Sequence, residues 1–306
     1  MSEAAVPLPV PAGPPTAPRP RWQADLALVV AAFFFGTTFV VVADAVEDAE
    51  PVPFLAVRFL VAALVLGVLS RRRKATPGER RHGLAAGAAL LVGYVLQTVG
   101  LQYTAPATSA FITYLLVVFV PLLSFAVLRH RPHPLTIASL APAVAGLVLL
   151  TGGAGTSLGR GEVLTLGCAV AFAAHIVILG ETAGRHDAVR LTWIQLTAVG
   201  LACLVAGLPG GGLAMGRDAL LAAAFTGVFA TALAFLAMVW AQRIVSPSRA
   251  ALILLLEPVF AALLARLTGD PLTASALAGG ALILSAVAVA EVLPPWLAGR
   301  ARRAGG

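Results

Sequence analysis

Glu257 and Pro258 stand together in an apolar run that carries no other charge between Arg249 and Arg266. An ionisable side chain at the centre of a membrane helix costs about 2.5–3.5 kcal/mol on insertion scales, so it is kept only where an interior or a wet cavity receives it. Proline has no N–H and clashes with the preceding turn, which frees the carbonyl of Leu254. A carboxyl group beside a bent backbone can take a cation, a substrate amine or a proton; bonded to a neighbouring helix, it would serve packing alone. Arg58 is the second such group. It lies about six residues from one end of its run, roughly 9 Å along a helix. It can snorkel to the interface, or face a cavity and hold a carboxylate or phosphate. His175, in AFAAHIVIL, would ordinarily be satisfied by an interhelical hydrogen bond. In a cavity its titration range would suit proton exchange. Gln97, with Tyr94 and Tyr114, offers neutral polar contacts, and Gln195 and Trp240 are weaker candidates of the same kind. Helix–helix hydrogen bonds explain such amides equally well.

The elements that must position these groups are membrane helices. The chain has 306 residues, 59% hydrophobic and 11% charged, where a soluble domain carries about 25% charged residues. Ten apolar runs are expected, near 25–43, 52–69, 83–103, 107–128, 134–151, 161–180, 189–208, 217–241, 249–267 and 272–292. About 20 helical residues cross a hydrocarbon core. Closed β-barrels need alternating strands, and LAAGAALLVGYVLQTVGL does not alternate. Residues 1–24, rich in Pro and Ala, read as a disordered tail, and 293–306 as a short basic tail. Cys168 and Cys203 both fall inside apolar runs and read as packing residues. Pro121 and Pro142 add expected kinks to the fourth and fifth runs, beside Pro258 in the ninth.

Seventeen of the 21 Lys and Arg residues fall on one side of this ladder; only Arg160, Arg217 and Arg266 fall on the other, and Arg58 lies within a run. Retained loops carry the Lys/Arg excess, so both termini are expected in the cytoplasm of a multi-pass cell (inner) membrane protein. The pI near 10.6 would suggest nucleic acid in a soluble chain. Here the basic residues are spread over short loops without interleaved aromatics, and the charge is topogenic.

A shift of 137 residues lays part of the chain on itself, with seven of 21 positions in 121–141 identical, among them Pro121/Pro258, Arg129/Arg266 and the two Pro-Leu-Thr tripeptides at 134 and 271. The matched segments are the fourth and fifth runs and the ninth and tenth. Each half then holds five spans, an odd number that turns the halves upside down relative to each other. Inverted repeats of this kind mark secondary transporters, with the substrate site near the midplane between the halves.

Several stretches resemble a known family. TGVFATALAFLAMVWAQRIVSPSRAALILLLEPVFAALLARL (226–267) is similar to the eighth and ninth helices of the EamA branch of the drug/metabolite transporter superfamily. SAFITYLLVVFVPLL (109–123) resembles its fourth helix, FFFGTTFVVV (33–42) its first and PFLAVRFLVAAL (53–64) its second. The chain departs from the usual Gly-Glu before the last helix, having Gly269, Asp270 and Pro271 there. The resemblance implies ten helices as two EamA repeats, 25–151 and 161–292. It also implies export or exchange of a small metabolite: an amino acid, a drug-like compound or another solute.

The expectation is an all-α polytopic transporter working by alternating access in the lipid bilayer. No catalytic set, metal motif or cofactor site is seen. The five histidines, at 82, 130, 133, 175 and 186, do not converge. A membrane-embedded lipid-modifying enzyme would need such a set, and a non-transporting sensor or receptor would need a further soluble domain. Nucleic acid is not an expected partner; a homodimer is among the assemblies allowed. A reporter fused to the C-terminus is expected to read cytoplasmic, and a reading on the opposite face would overturn the even count of spans.

Overall fold

The computed structural model describes residues 21–45, 50–70, 74–100, 102–104, 106–129, 131–152, 159–208, 213, 215–267, 273–291 and 293. Most of the 1–24 tail, Glu47 and Asp48, Arg71 to Arg73, Gly269 to Pro271 and nearly all of the 293–306 tail lie outside these residues. Every described element is helical. The reason is solvent: hydrocarbon offers no partner to a backbone N–H or C=O, so each must bond within its own segment.

The helices are α1 (Arg21–Ala45), α2 (Pro51–Ser70), α3 (Pro77–Gly100), α4 (Pro106–Tyr114), α5 (Leu116–Leu128), α6 (Pro134–Thr151) and α7 (Arg160–Thr182). They continue with α8 (Ala188–Gly207), α9 (Arg217–Thr226), α10 (Ala234–Ala241), α11 (Pro247–Leu254), α12 (Glu257–Leu267) and α13 (Ala274–Glu291). Among the described residues, seven stretches are long and apolar enough to cross a bilayer: Pro51–Ser70, Pro77–Gly100, Thr108–Leu128, Arg160–Arg185, Ala188–Gly207, Arg217–Ala241 and Pro247–Leu264. Two shorter apolar helices, Pro134–Leu150 and Ala274–Ala290, accompany them. The chain is an all-helical, multi-pass membrane protein.

Helix starts are written in the sequence. Thr76, Pro77 and Glu79 form a capping box before α3: Thr76 N–H donates to Glu79 Oε2 (2.9 Å) and Glu79 N–H to Thr76 Oγ1 (3.2 Å). Asp187 caps α8 and Ser246, followed by Pro247, caps α11.

Three of the crossings are interrupted. Leu115 separates α4 from α5. A π-helical segment, Gly227–Leu233, joins α9 to α10. Leu255 and Leu256 separate α11 from α12 through short i→i−3 bonds to Leu252 and Ile253. The last break follows from Pro258, because α11 ends at Leu254, whose carbonyl that proline leaves unpaired. By contrast, α5 and α6 run unbroken through Pro121 and Pro142.

The parts of the chain before and after residues 153–158 interlock rather than sit side by side. Helix α1 packs on α9 to α12, and α7 packs on α3 to α5. Likewise α2 packs on α8 and α9, and α8 on α2 and α3, while α6 pairs with α13. The α6–α13 crossing is backbone on backbone: a Cβ on Gly146 would lie 2.7 Å from the Gly279 carbonyl oxygen, and one on Gly279 2.5 Å from that of Gly146. Leu64, Val68, Leu122, Phe125, Val127 and Val205 stay exposed on the outer surface, as expected where lipid replaces water.

At helix starts the two parts are tied by ion pairs. Arg190 donates to both oxygens of Glu79, at 3.0 and 2.8 Å. Arg249 donates to both of Asp25, at 2.9 and 2.7 Å. The Glu79 side chain is only 3% exposed, whereas Glu181 and Arg185, a pair along one helix end, are 42% and 57% exposed. Removing one partner of a buried pair costs about 3–5 kcal/mol, and an exposed pair is worth at most about 1 kcal/mol. Arg190→Ala is therefore expected to lower the detergent unfolding temperature clearly and Arg185→Ala hardly at all, and equal shifts in the two variants would refute the ranking.

Candidate functional site

The polar side chains inside the bundle fall into three groups. The first satisfies itself. Thr165, Thr182, Thr192, Thr197 and Thr226 each donate to the carbonyl four residues back, at 2.6–2.9 Å, which lets a hydroxyl sit in hydrocarbon without a partner helix.

The second group pairs across helices. His175 on α7 shares a 2.6 Å hydrogen bond between its Nε2 and Gln195 Oε1 on α8. Both are buried, at 2% and 0% exposed. The His175 ring stands edge-on to Phe235 at 5.9 Å, which in turn meets Phe35 at 5.2 Å. Gln97 Nε2 donates to Thr113 Oγ1 at 3.3 Å, joining α3 to α4. Gln242 Nε2 donates to the Ile176 carbonyl at 2.7 Å. Trp240, partly buried, packs against the core.

The third group converges from distant parts of the chain. Arg58 on α2 is 7% exposed, so it does not snorkel. Its Nε donates to Thr231 Oγ1 at 2.7 Å, and Thr231 lies in the π-helical segment. Gly227, at the start of that segment, is what lets the two helices close: a Cβ there would lie 2.8 Å from the Arg58 carbonyl oxygen. Glu257 opens α12 at the Leu255–Leu256 break, and Tyr114 closes α4 at the Leu115 break. The Tyr114 hydroxyl approaches Glu257 without reaching hydrogen-bond geometry, and it has no other partner. Glu257 also lies within electrostatic reach of Arg58, and Tyr94 within reach of both. Over this break a Cβ on Gly36 would sit 2.9 Å from the Glu257 carbonyl oxygen, so α1 crosses directly above it.

Glu257 is surrounded by protein yet keeps part of its surface open. The carboxyl group thus lies among the helices, neither sealed nor on the outer surface. Aromatic pairs cross the same bundle: Tyr94 meets Phe59 at 5.1 Å and Phe172 at 5.3 Å, edge to face, and Phe34 stacks on Phe229 of the π-helical segment at 5.8 Å. Offset and edge-on ring pairs of this kind fix each other's orientation.

Of the residues singled out in the sequence, Arg58, Tyr114 and Glu257 are thus brought together, with Gln97 attached one residue from Tyr114 through Thr113. His175 pairs elsewhere, behind Phe235, and Trp240 packs partly buried against the core. Thr231 went unnoticed in the sequence. Its only signal was indirect: an Arg at membrane depth needs an acceptor, and span 217–241 has just two hydroxyls, Thr226 and Thr231. Among the described residues no group of three or more His, Cys, Asp and Glu side chains is arranged to hold a metal.

Comparison with known proteins agrees with this architecture. A solved crystal structure of a protein 20% identical in sequence superposes with a TM-score of 0.78, covering 91% of this chain and 99% of that one; at that identity the likeness concerns the fold. Two curated relatives, both described as uncharacterized transporters of Archaeoglobus fulgidus, are more similar in sequence. One is 31% identical over 274 residues, 89% of this chain and 87% of the relative. The other is 30% identical over 269 residues, 87% of this chain and 95% of the relative. The model of the EamA-like transporter family matches twice, over residues 22–152 and 159–291. An interlocked helical bundle with charge enclosed at its centre, matched twice along its length by one family, is a membrane transporter, and the chain belongs to the EamA-like transporter family.

Proposed function

We propose that the protein is a secondary transporter that moves a small organic metabolite, as an exporter or exchanger, by alternating access. In this reading it has ten spans, α1 to α6 forming one five-span half and α7 to α13 the other, inverted relative to it, with both termini in the cytoplasm. The reciprocal packing supports the inversion: what α1 does on the second half, α7 does on the first. The Lys/Arg distribution supports the orientation.

The observation that carries the reading is that Arg58, from the first half, and Glu257, from the second, lie within electrostatic reach of each other inside the bundle. An inverted-repeat carrier places its solute at such a midplane interface, often at helices that break there, and two breaks lie at Tyr114 and Glu257. Alternating access needs the two halves to rock about this point. The ion pairs Glu79–Arg190 and Asp25–Arg249 both join one half to the other, and in this reading they lie on the cytoplasmic side, at the starts of the first, third, seventh and ninth spans. They act as contacts that must part for the site to open there. Their geometry suits reversible closure, since each is a two-pronged Arg–carboxylate bond.

The test is uptake and counterflow in proteoliposomes across a metabolite panel, with and without a proton gradient. Wild type is expected to move at least one solute. Loss of a charged hydrogen bond costs about 1.5–3 kcal/mol, so Arg58→Ala and Glu257→Gln are each expected to cut that flux about tenfold or more. Flux unchanged in both variants would place the site elsewhere, and no flux of any panel solute by folded wild type would count against transport itself.

A further inference from the structure

The fork of Arg58 is anchored at one prong and open at the other two. A guanidinium carries five N–H donors. The Nε–H is taken by Thr231 at 2.7 Å. Among the described residues neither terminal nitrogen makes a hydrogen bond, and neither is among the sealed, partnerless atoms, which are Tyr114 OH, Ser124 Oγ, Gln195 Nε2 and Gln242 Oε1. The terminal nitrogens of Arg58 therefore keep accessible surface although the residue as a whole is buried.

The anchor is also uncharged. Among the described residues, ion pairs within 4.0 Å join Arg185 to Glu181, Arg190 to Glu79 and Arg249 to Asp25. Arg58 is in none of them. Glu257 is near enough to feel its charge but does not bond it. A threonine hydroxyl orients the guanidinium plane while leaving its full charge unspent. The backbone is shaped for this anchoring: the π-helical turn carries Thr231, and Gly227 lets that turn approach the Arg58 carbonyl to a distance no side chain would allow. Single π-turns inserted in helices recur at functional sites.

We infer that the solute presents an oxyacid group, carboxylate or phosphate, to the two terminal nitrogens of Arg58, and that Thr231 is the positioning residue that aims them. The inference rests on the transport reading and narrows it to acid-bearing solutes. The planar fork matches the two oxygens of such a group, which a Lys would not. Thr231 touches Arg58 and not the solute.

The probes are benzoate, phenyl phosphate and benzamide, three compounds of one ring with a carboxylate, a phosphate and a neutral head. Binding to the purified full-length protein is read as ligand-dependent thermal stabilisation. At least one of the two acids is expected to bind about tenfold or more tightly than benzamide, the scale of one charged hydrogen-bond pair, and which acid does so separates the carboxylate from the phosphate source. Thr231→Val is expected to erase most of that preference while leaving benzamide unchanged, and Thr231→Ser, which keeps the hydroxyl, to restore it to within about twofold. A purely structural role would lower the unfolding temperature without moving the acid-to-amide ratio. Equal binding of all three probes to wild type, or a ratio untouched in Thr231→Val, overturns the inference. If the proteoliposome panel meanwhile yields a transported solute without an acid group, transport stands and the acid-binding inference falls.

Discussion

A backbone in hydrocarbon has no water to bond, and the architecture follows from that one constraint. It forces every crossing to be helical. It also decides where a crossing can be interrupted: only where protein encloses the break. The gaps at Leu115 and at Leu255–Leu256, and the π-helical turn at Gly227–Leu233, are lined by other helices. Two glycines make the enclosure close. Gly36 brings α1 against the Glu257 carbonyl, and Gly227 brings the turn against the Arg58 carbonyl. The places where the helices loosen and the places where charge is admitted are therefore the same places.

Magnitudes explain why so few polar groups stand open. A net hydrogen bond is worth about 1 kcal/mol, enough to hold a threonine to its own helix or His175 to Gln195. A bond to a charged group is worth about 1.5–3 kcal/mol, which at best matches the roughly 2.5–3.5 kcal/mol of carrying a charge to membrane depth. One bond to Thr231 offsets only part of that cost for Arg58, and among the described residues Glu257 has no side-chain bond beyond the approach of the Tyr114 hydroxyl. Fully paired charges at the helix starts show what the chain does when stability alone is at stake: each Arg there has both prongs on a carboxylate.

Much of this was legible in the sequence, and the reason is periodicity against solvent. Apolar runs of helix length, capping residues at Thr76, Asp187 and Ser246, and the proline after Glu257 all act locally. The break at Leu254 follows directly from Pro258. What acts at a distance was harder. Arg58 was visible as an anomaly, but its partner Thr231 is one hydroxyl 173 residues away in an Ala- and Leu-rich background. The break at Leu115 has no proline at the required spacing, while Pro121 and Pro142, where kinks were expected, lie inside helices that continue past them. His175 was visible too, yet its pairing with Gln195 depends on the facing of two helices that no spacing reveals. The sequence repeat hinted at two similar halves without showing that each half packs mainly on the other.

That interlocking has a consequence for how the protein is made. Helix α1 leaves the ribosome first, but its packing partners, α9 to α12, are synthesised last. For most of translation it must wait in the bilayer without its neighbours. The first half cannot mature as a finished unit, because α3 to α5 await α7 and α6 awaits α13. Assembly is thus a late and concerted event, set by the arrival of the C-terminal helices. A chain cut short before α7 leaves not half a transporter but a set of inserted helices whose packing partners are missing.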